Sequence, residues 1–163
     1  MAKNHRGAGP ALDLIGFGEI PLREASGLAI ATLREGQYLV AVGDHGPTVA
    51  LAGQEWAAPG ANRLVCLAWW PAKALADLSD AEVGPDQALY LLSDQSNAVA
   101  QLCLPVAVGE RLSYSAVWSP PDSVQKAEGL TFLPDGTALV AVDQHARGPN
   151  LATLPTLDRW PRT

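Results

Sequence analysis

Three aspartates recur in this 163-residue chain at a near-constant interval, each at the end of an apolar run: Asp44 after LVAVG, Asp94 after LYLLS and Asp143 after ALVAV. They stand 50 and 49 residues apart. A second acidic set, Glu24, Asp77 and Glu128, opens the same three stretches. If the stretches are copies of one unit, each set presents its carboxylates side by side. Like charges so placed repel unless a cation sits among them, and hard oxygen donors select Ca²⁺ or Mg²⁺. Glu24, Asp77 and Glu128 are therefore candidate metal ligands, and Asp44, Asp94 and Asp143 candidate ligand-binding residues. The competing reading is that aspartate ends a strand well because its side chain caps the following turn. His45 and His145 follow their aspartates by one and two positions. A loop histidine there, with Glu128, could serve as a general base or touch a phosphate. Ser26 and Ser93 read as turn and packing residues, and the chain has no Gly-x-Ser-x-Gly elbow, P-loop or His-Glu-x-x-His motif.

The elements that must position these groups are hairpins. In KAEGLTFLPDGTALVAVD, Lys126 to Asp143, two apolar runs flank Pro134-Asp135-Gly136. Asp-Gly between such runs is a strong hairpin signal, because glycine accepts the positive φ of a tight turn. The second run, Ala138 to Val142, is apolar without alternation, which predicts a strand covered on both faces. The pattern recurs at Glu24 to Asp44, with about three extra residues assigned to the turn around Arg34-Glu35-Gly36, and at Asp77 to Asp94.

Further apolar runs follow each hairpin: TVALA from Thr48, AVAQLCL from Ala98 and a weaker one from Asn150 to Leu154, then Arg63 to Trp69 and Leu112 to Trp118. Four short strands per unit of about 50 residues is the pattern of a β-propeller blade. The predicted fold is all-β, a single domain of about three four-stranded antiparallel blades at 24–70, 77–118 and 126–154, the third truncated, with flexible ends at 1–10 and 155–163. A two-sheet sandwich fits the same turn spacing. Leu12 to Ile20 is expected to add an edge strand, Gly53 to Asn62 to form a loop, and Pro71 to start a short helix over Ala72 to Leu78.

Composition narrows the function classes. With 48% hydrophobic residues, 15 Gly and 13 Pro, the chain suits a turn-rich globule. Its net charge is −6 and its 11 Lys and Arg are scattered, which argues against nucleic acid and against an anionic membrane surface as partners. No apolar span reaches the roughly 20 residues of a transmembrane helix, and the N-terminus does not read as a signal peptide. Taken as written, the chain is expected in the cytoplasm, or outside it if the true start lies upstream. Cys66 and Cys103 sit in apolar runs and read as small core residues. Trp56, Trp69, Trp70 and Trp118 are expected to pack between blades or to line a ligand surface. Three blades fall short of the about 4 to 8 that close a propeller. Open edges invite association, so two chains share one six-bladed ring, the chain belongs to a longer propeller, or the three units pack in some other arrangement.

Two stretches carry a family resemblance. DLSDAEVGPDQALYLLSDQSNAV followed by QKAEGLTFLPDGTALVAVDQ resembles the C-terminal part of the SdiA-regulated family of β-propeller-like proteins. Glu24-Ala25-Ser26-Gly27-Leu28 with Val42-Gly43-Asp44 is similar to blade openings of that family and of esterase-like-activity-of-phytase propellers. The similarity spans Glu24 to Gln144. The sequence departs from the pattern at Asp80-Ala81, where Gly-Leu is usual, and at Gln95, where an acidic residue is usual. The resemblance implies a propeller module that binds a small ligand or partner at its carboxylate-lined end, with calcium as the implied metal. The enzymatic alternative it implies is a calcium-dependent esterase, lactonase or phytase-like phosphatase.

Overall fold

The computed structural model describes residues 16–19, 22–33, 36–46, 48–57, 61–103, 111–143 and 150–162. They form an all-β structure of three sheets. The first holds β2 (Ala25–Leu33), β3 (Gly36–Gly43), β4 (Thr48–Ala57) and β5 (Ala61–Pro71) as an antiparallel meander, with β1 (Gly16–Glu19) parallel on its outer strand. The second runs β6 (Asp80–Val83), β7 (Leu89–Ser93), β8 (Ala98–Leu102) and β9 (Tyr114–Trp118). The third holds β10 (Ala127–Phe132), β11 (Ala138–Val142) and β12 (Leu151–Leu154). The sheets do not close on one another. Their first strands lie side by side, β2 against β6 and β6 against β10.

Each hairpin is built by local chemistry that the repeats share. In the third sheet the Leu133 and Thr137 main chains pair across Pro134-Asp135-Gly136, Asp135 accepts the Thr137 N–H at 2.9 Å, and Gly136 takes φ +85°. The second sheet repeats this with Gly84 and Ala88 paired across Pro85-Asp86-Gln87 and Asp86 accepting the Ala88 N–H at 3.1 Å. Gln87 holds φ 64° where its counterpart is glycine. The first copy differs from expectation. Ile30 pairs with Leu39, as Val83 does with Leu89, but the ladder continues through Ala31, Thr32 and Leu33 to Gly36. The extra residues lengthen the strands, because an antiparallel ladder satisfies backbone groups that a wide loop would leave to water.

The core lies between the sheets in two slabs. Val40, Val42 and Val49 of the first sheet meet Ala81, Leu89, Leu91 and Ala100 of the second, sealed by Leu75 and Leu78 from the connecting segment. Tyr90, Leu92, Val99 and Trp118 on the opposite face of the second sheet meet Leu130, Ala138, Val140 and Leu154 of the third. Full burial of such aliphatic side chains contributes about 1.5–3 kcal/mol each. The middle sheet is therefore covered on both faces, and every residue of β7 is buried. In β11, where the same two-sided cover was expected, buried and half-buried residues alternate, because the third sheet has a neighbour on one face only.

Four further expectations are corrected. Residues 72–78 form no helix: Leu75 bonds back to Ala72 in a single turn, and Leu75 and Leu78 drop into the core instead. The predicted loop over Gly53 to Asn62 is largely strand, since β4 and β5 pair out to Ala57 and Ala61. The tail from Pro155 is not loose. A 3₁₀ turn at Leu157–Arg159 buries Leu157 and Trp160, the Trp160 indole donates to the Pro155 carbonyl at 2.9 Å, and Arg162 bridges to Trp118 with its guanidinium 5.8 Å from that ring. Cys103 is exposed just beyond β8 and Cys66 is half-buried, so neither is a core residue. The expected mobile lead over 1–10 lies outside the described residues. The expected edge strand is met in part by β1.

Candidate functional site

Because β3, β7 and β11 run antiparallel to the first strand of each sheet, their ends return to where the sheets begin. Asp44, Asp94 and Asp143 directly follow those ends. The Asp44 N–H donates to the Glu24 carbonyl at 3.2 Å, and the Asp143 N–H donates to the Lys126 carbonyl at 2.9 Å. In the middle sheet the Asp94 N–H donates to the Ser79 hydroxyl at 3.3 Å, while the Ser79 N–H donates to the Leu92 carbonyl at 2.9 Å. The same tie, made by main chain twice and by a buried serine once, sets all three aspartates at one end of the stack.

The structure brings five carboxylates into electrostatic reach there. Burial raises Asp77 above the usual carboxylate range, and the negative charges of Asp94 and Asp44 raise it further, as does a side-chain hydrogen bond with Asp94. Burial likewise raises Glu128, followed by the charges of Asp94, Asp143 and Asp77, with Lys126 opposing. Asp44 Oδ1, Asp77 Oδ1 and Asp94 Oδ1 are buried and have no hydrogen-bond partner among the described residues. A proton on Asp77 supplies the donor for its bond with Asp94; ionised, Asp77 faces the charges of Asp94 and Asp44 instead.

Of the sequence candidates, Asp44, Asp77, Asp94, Asp143 and Glu128 thus come together. Glu24 contributes its main-chain carbonyl, and its side chain is exposed. His45 is exposed on the turn after Asp44, and His145 lies outside the described residues. Trp70 and Trp118 are buried, Trp69 is exposed on the outer face of the first sheet, and the Trp56 side chain lies outside those described. The donors are of the oxygen class that calcium takes. Among the described residues, however, no three His, Cys, Asp or Glu groups stand as a ready metal-ligand set.

Beside Ser79, two participants were missed in the sequence. Lys126 takes φ 52°, offers its carbonyl to Asp143, and its charge opposes the upward shift of Glu128. Asp80 occupies the position held by Gly27 and Gly129 in the sister repeats, and its carboxylate joins sheets. Its Oδ1 accepts its neighbour Ala81's N–H and its Oδ2 accepts the Leu130 N–H from the third sheet, both at 2.8 Å. On the other side a Cβ on Gly27 would stand 2.5 Å from the Asp80 Cα, so the first sheet reaches the second only because Gly27 has none. The Ser26 hydroxyl donates to the Leu78 carbonyl across the same joint. The available signal was a carboxylate at the position where both sister copies carry glycine.

No family model, curated protein or solved structure matches this chain. Among the described residues, no helix is long and apolar enough to cross a membrane.

Proposed function

We propose that this chain is a β-propeller-type binding module, its three sheets serving as blades, and that its carboxylate-lined end takes a small ligand or partner group bearing positive charge. The observation that carries the reading is the convergence of Asp44, Asp77, Asp94, Asp143 and Glu128, with buried carboxylate oxygens that have no partner among the described residues. A fold does not hold mutually repelling acids together without cost, and an arriving cation relieves that cost directly. The resemblance of the repeats to SdiA-regulated propellers supports the same end of the stack as the binding end. Ca²⁺ is the simplest probe; because no three ligands stand ready for it among the described residues, an amine-bearing molecule that pairs with separate carboxylates is the second probe.

The test is a thermal-stability panel of Ca²⁺, Mg²⁺ and a polyamine at low ionic strength, on the wild-type chain and on Asp94→Asn. Saturable stabilisation by at least one cation, weakened in Asp94→Asn, supports the reading. A response no larger than that to equal ionic strength of NaCl, and equal in both proteins, counts against it.

A further inference from the structure

A cleft of about 380 Å³ opens between the end of β5 in the first sheet and the approach to β9 in the second. That volume falls within the about 300–1,000 Å³ of small-molecule sites. Among the described residues, Trp69 and Trp70 line its first-sheet side, Leu112 and Tyr114 its second-sheet side, and Lys73 and Arg111 border it. Successive residues of a strand point to opposite faces, so a cleft bordered by both Trp69 and Trp70 wraps the end of β5 and lies on neither face of the sheet. Trp70 is 6% exposed, yet it is not among the side chains of either core slab.

The lining combines two kinds of chemistry. The two indoles give flat apolar surface, which a planar ring covers by stacking. Lys73 and Arg111 add positive charge in a chain whose net charge is −6. Both are exposed, and neither makes an ion pair with a described residue. The charges that shift Asp77 and Glu128 come from other carboxylates and from Lys126, so the two cations stand apart from the acidic end. The Tyr114 hydroxyl is buried and has no hydrogen-bond partner among the described residues. Burial raises its pKa, which keeps it protonated and a donor. A buried donor without an acceptor is costly, and an anion seated in the cleft brings acceptors to its wall.

We propose that this cleft is a second binding site, taking a small molecule in which a planar ring carries a carboxylate or phosphate, the ring against Trp69 and Trp70 and the anion at Lys73 and Arg111. The Arg111 guanidinium offers a forked set of donors that matches either anion, and Lys73 adds a point charge. This ligand is opposite in sign to the one taken by the carboxylate end, and neither site's argument rests on the other.

The experiment is a titration of the chain with naphthoate, naphthyl phosphate, naphthylmethanol and acetate at constant ionic strength, followed by NMR of the backbone amides and indole N–H groups. At least one of the two ring anions is expected to bind saturably, with the largest shifts at the Trp69 and Trp70 indoles and at the Lys73 and Arg111 amides. The tighter of the two identifies the anion as carboxylate or phosphate ester. Neutral naphthylmethanol and ringless acetate are each expected to bind at least about fivefold more weakly, the worth of one partly exposed ion pair or one stacked ring. Trp69→Ala, Lys73→Gln and Arg111→Gln change exposed side chains, so the amide spectrum of β7 is expected to stay as it is. Each variant is expected to lose about fivefold in affinity for the ring anion on the same grounds. No saturable shift with either ring anion, naphthylmethanol binding as tightly as naphthoate, or shifts confined to residues outside the cleft overturns the proposal. So does undiminished affinity in Lys73→Gln and Arg111→Gln alike.

Discussion

Asp80 Oδ2 accepts the main-chain N–H of Leu130 at 2.8 Å, and through that bond a side chain of the second sheet supports the backbone of the third. The carboxylate lies among three first strands, with the Gly27 backbone pressed against its Cα on one side and β10 on the other. Burial raises the Asp80 carboxyl above its usual range, while the Leu130 and Ala81 N–H groups oppose that rise.

Replacing Asp80 by Ala leaves the Leu130 N–H facing the second sheet without its acceptor. An orphaned buried donor costs about 1–3 kcal/mol. The expected result is a loss of that order in the urea midpoint analysis, with faster hydrogen exchange at Leu130 than in β7. Unchanged stability with unchanged exchange at Leu130 would show that the bond contributes nothing.

Gly27→Ala is expected to be more damaging than Gly129→Ala. At Gly27 the added Cβ meets Asp80 Cα at 2.5 Å and Ala81 N at 2.7 Å, which are backbone atoms that cannot swing aside. At Gly129 the nearest atom is the Ala141 Cβ at 3.3 Å. Overpacking of the first kind costs about 1–3 kcal/mol. Thermal melts of the two variants side by side check the ranking, and equal melting temperatures would contradict the close approach.

The acidic end makes stability depend on pH with a definite sign. Asp77 and Glu128 have folded pKa values raised above their unfolded ones. Between the two values the folded state binds more protons, so their contribution falls as pH rises through that window and is most unfavourable once both are ionised. Asp77→Asn is therefore expected to be more stable than wild type at pH 7, the gap closing as pH is lowered to about 4, where model carboxylates protonate. Urea midpoints of both proteins across that range measure it, and a gap that widens toward acid would reverse the sign.

Local stability should follow position in the stack. The amides of β7, in the sheet covered on both faces, are expected to exchange slowest, and those of β12 faster, since β12 edges a sheet with one neighbour. Slower exchange in β12 than in β7 would place the core elsewhere.

How much of this was legible depends on what each residue reports. The interval between Asp44, Asp94 and Asp143 revealed the repeat and the common end, because register within a hairpin is set locally by the Pro-Asp-Gly turn and its Pro-Asp-Gln counterpart. Whether an apolar run is covered on one face or two is not local. LYLLS and ALVAV read alike, yet only the first lies between two sheets. Leu75 and Leu78 lacked a helical cap signal strong enough to test Pro71 as a helix start, and the core below them decided the matter. Trp160 stands in a Pro-rich tail with no strand pattern, and only the folded turn brings its indole N–H onto the Pro155 carbonyl. Asp80 was visible as a departure from glycine, but its Leu130 partner lies in another repeat, and pairing across repeats leaves no mark on sequence spacing.

The most direct test of the central claim, that the carboxylate end takes positive charge, is calorimetric titration of the chain with Ca²⁺ in two buffers of different ionisation enthalpy near pH 5. If a cation displaces protons held by Asp77 and Glu128, the account predicts saturable binding whose apparent heat differs between the buffers, and loss of that difference in an Asp77→Asn, Glu128→Gln double variant. No saturable heat with Ca²⁺ or with a polyamine, or heat unaffected by both substitutions, would contradict it.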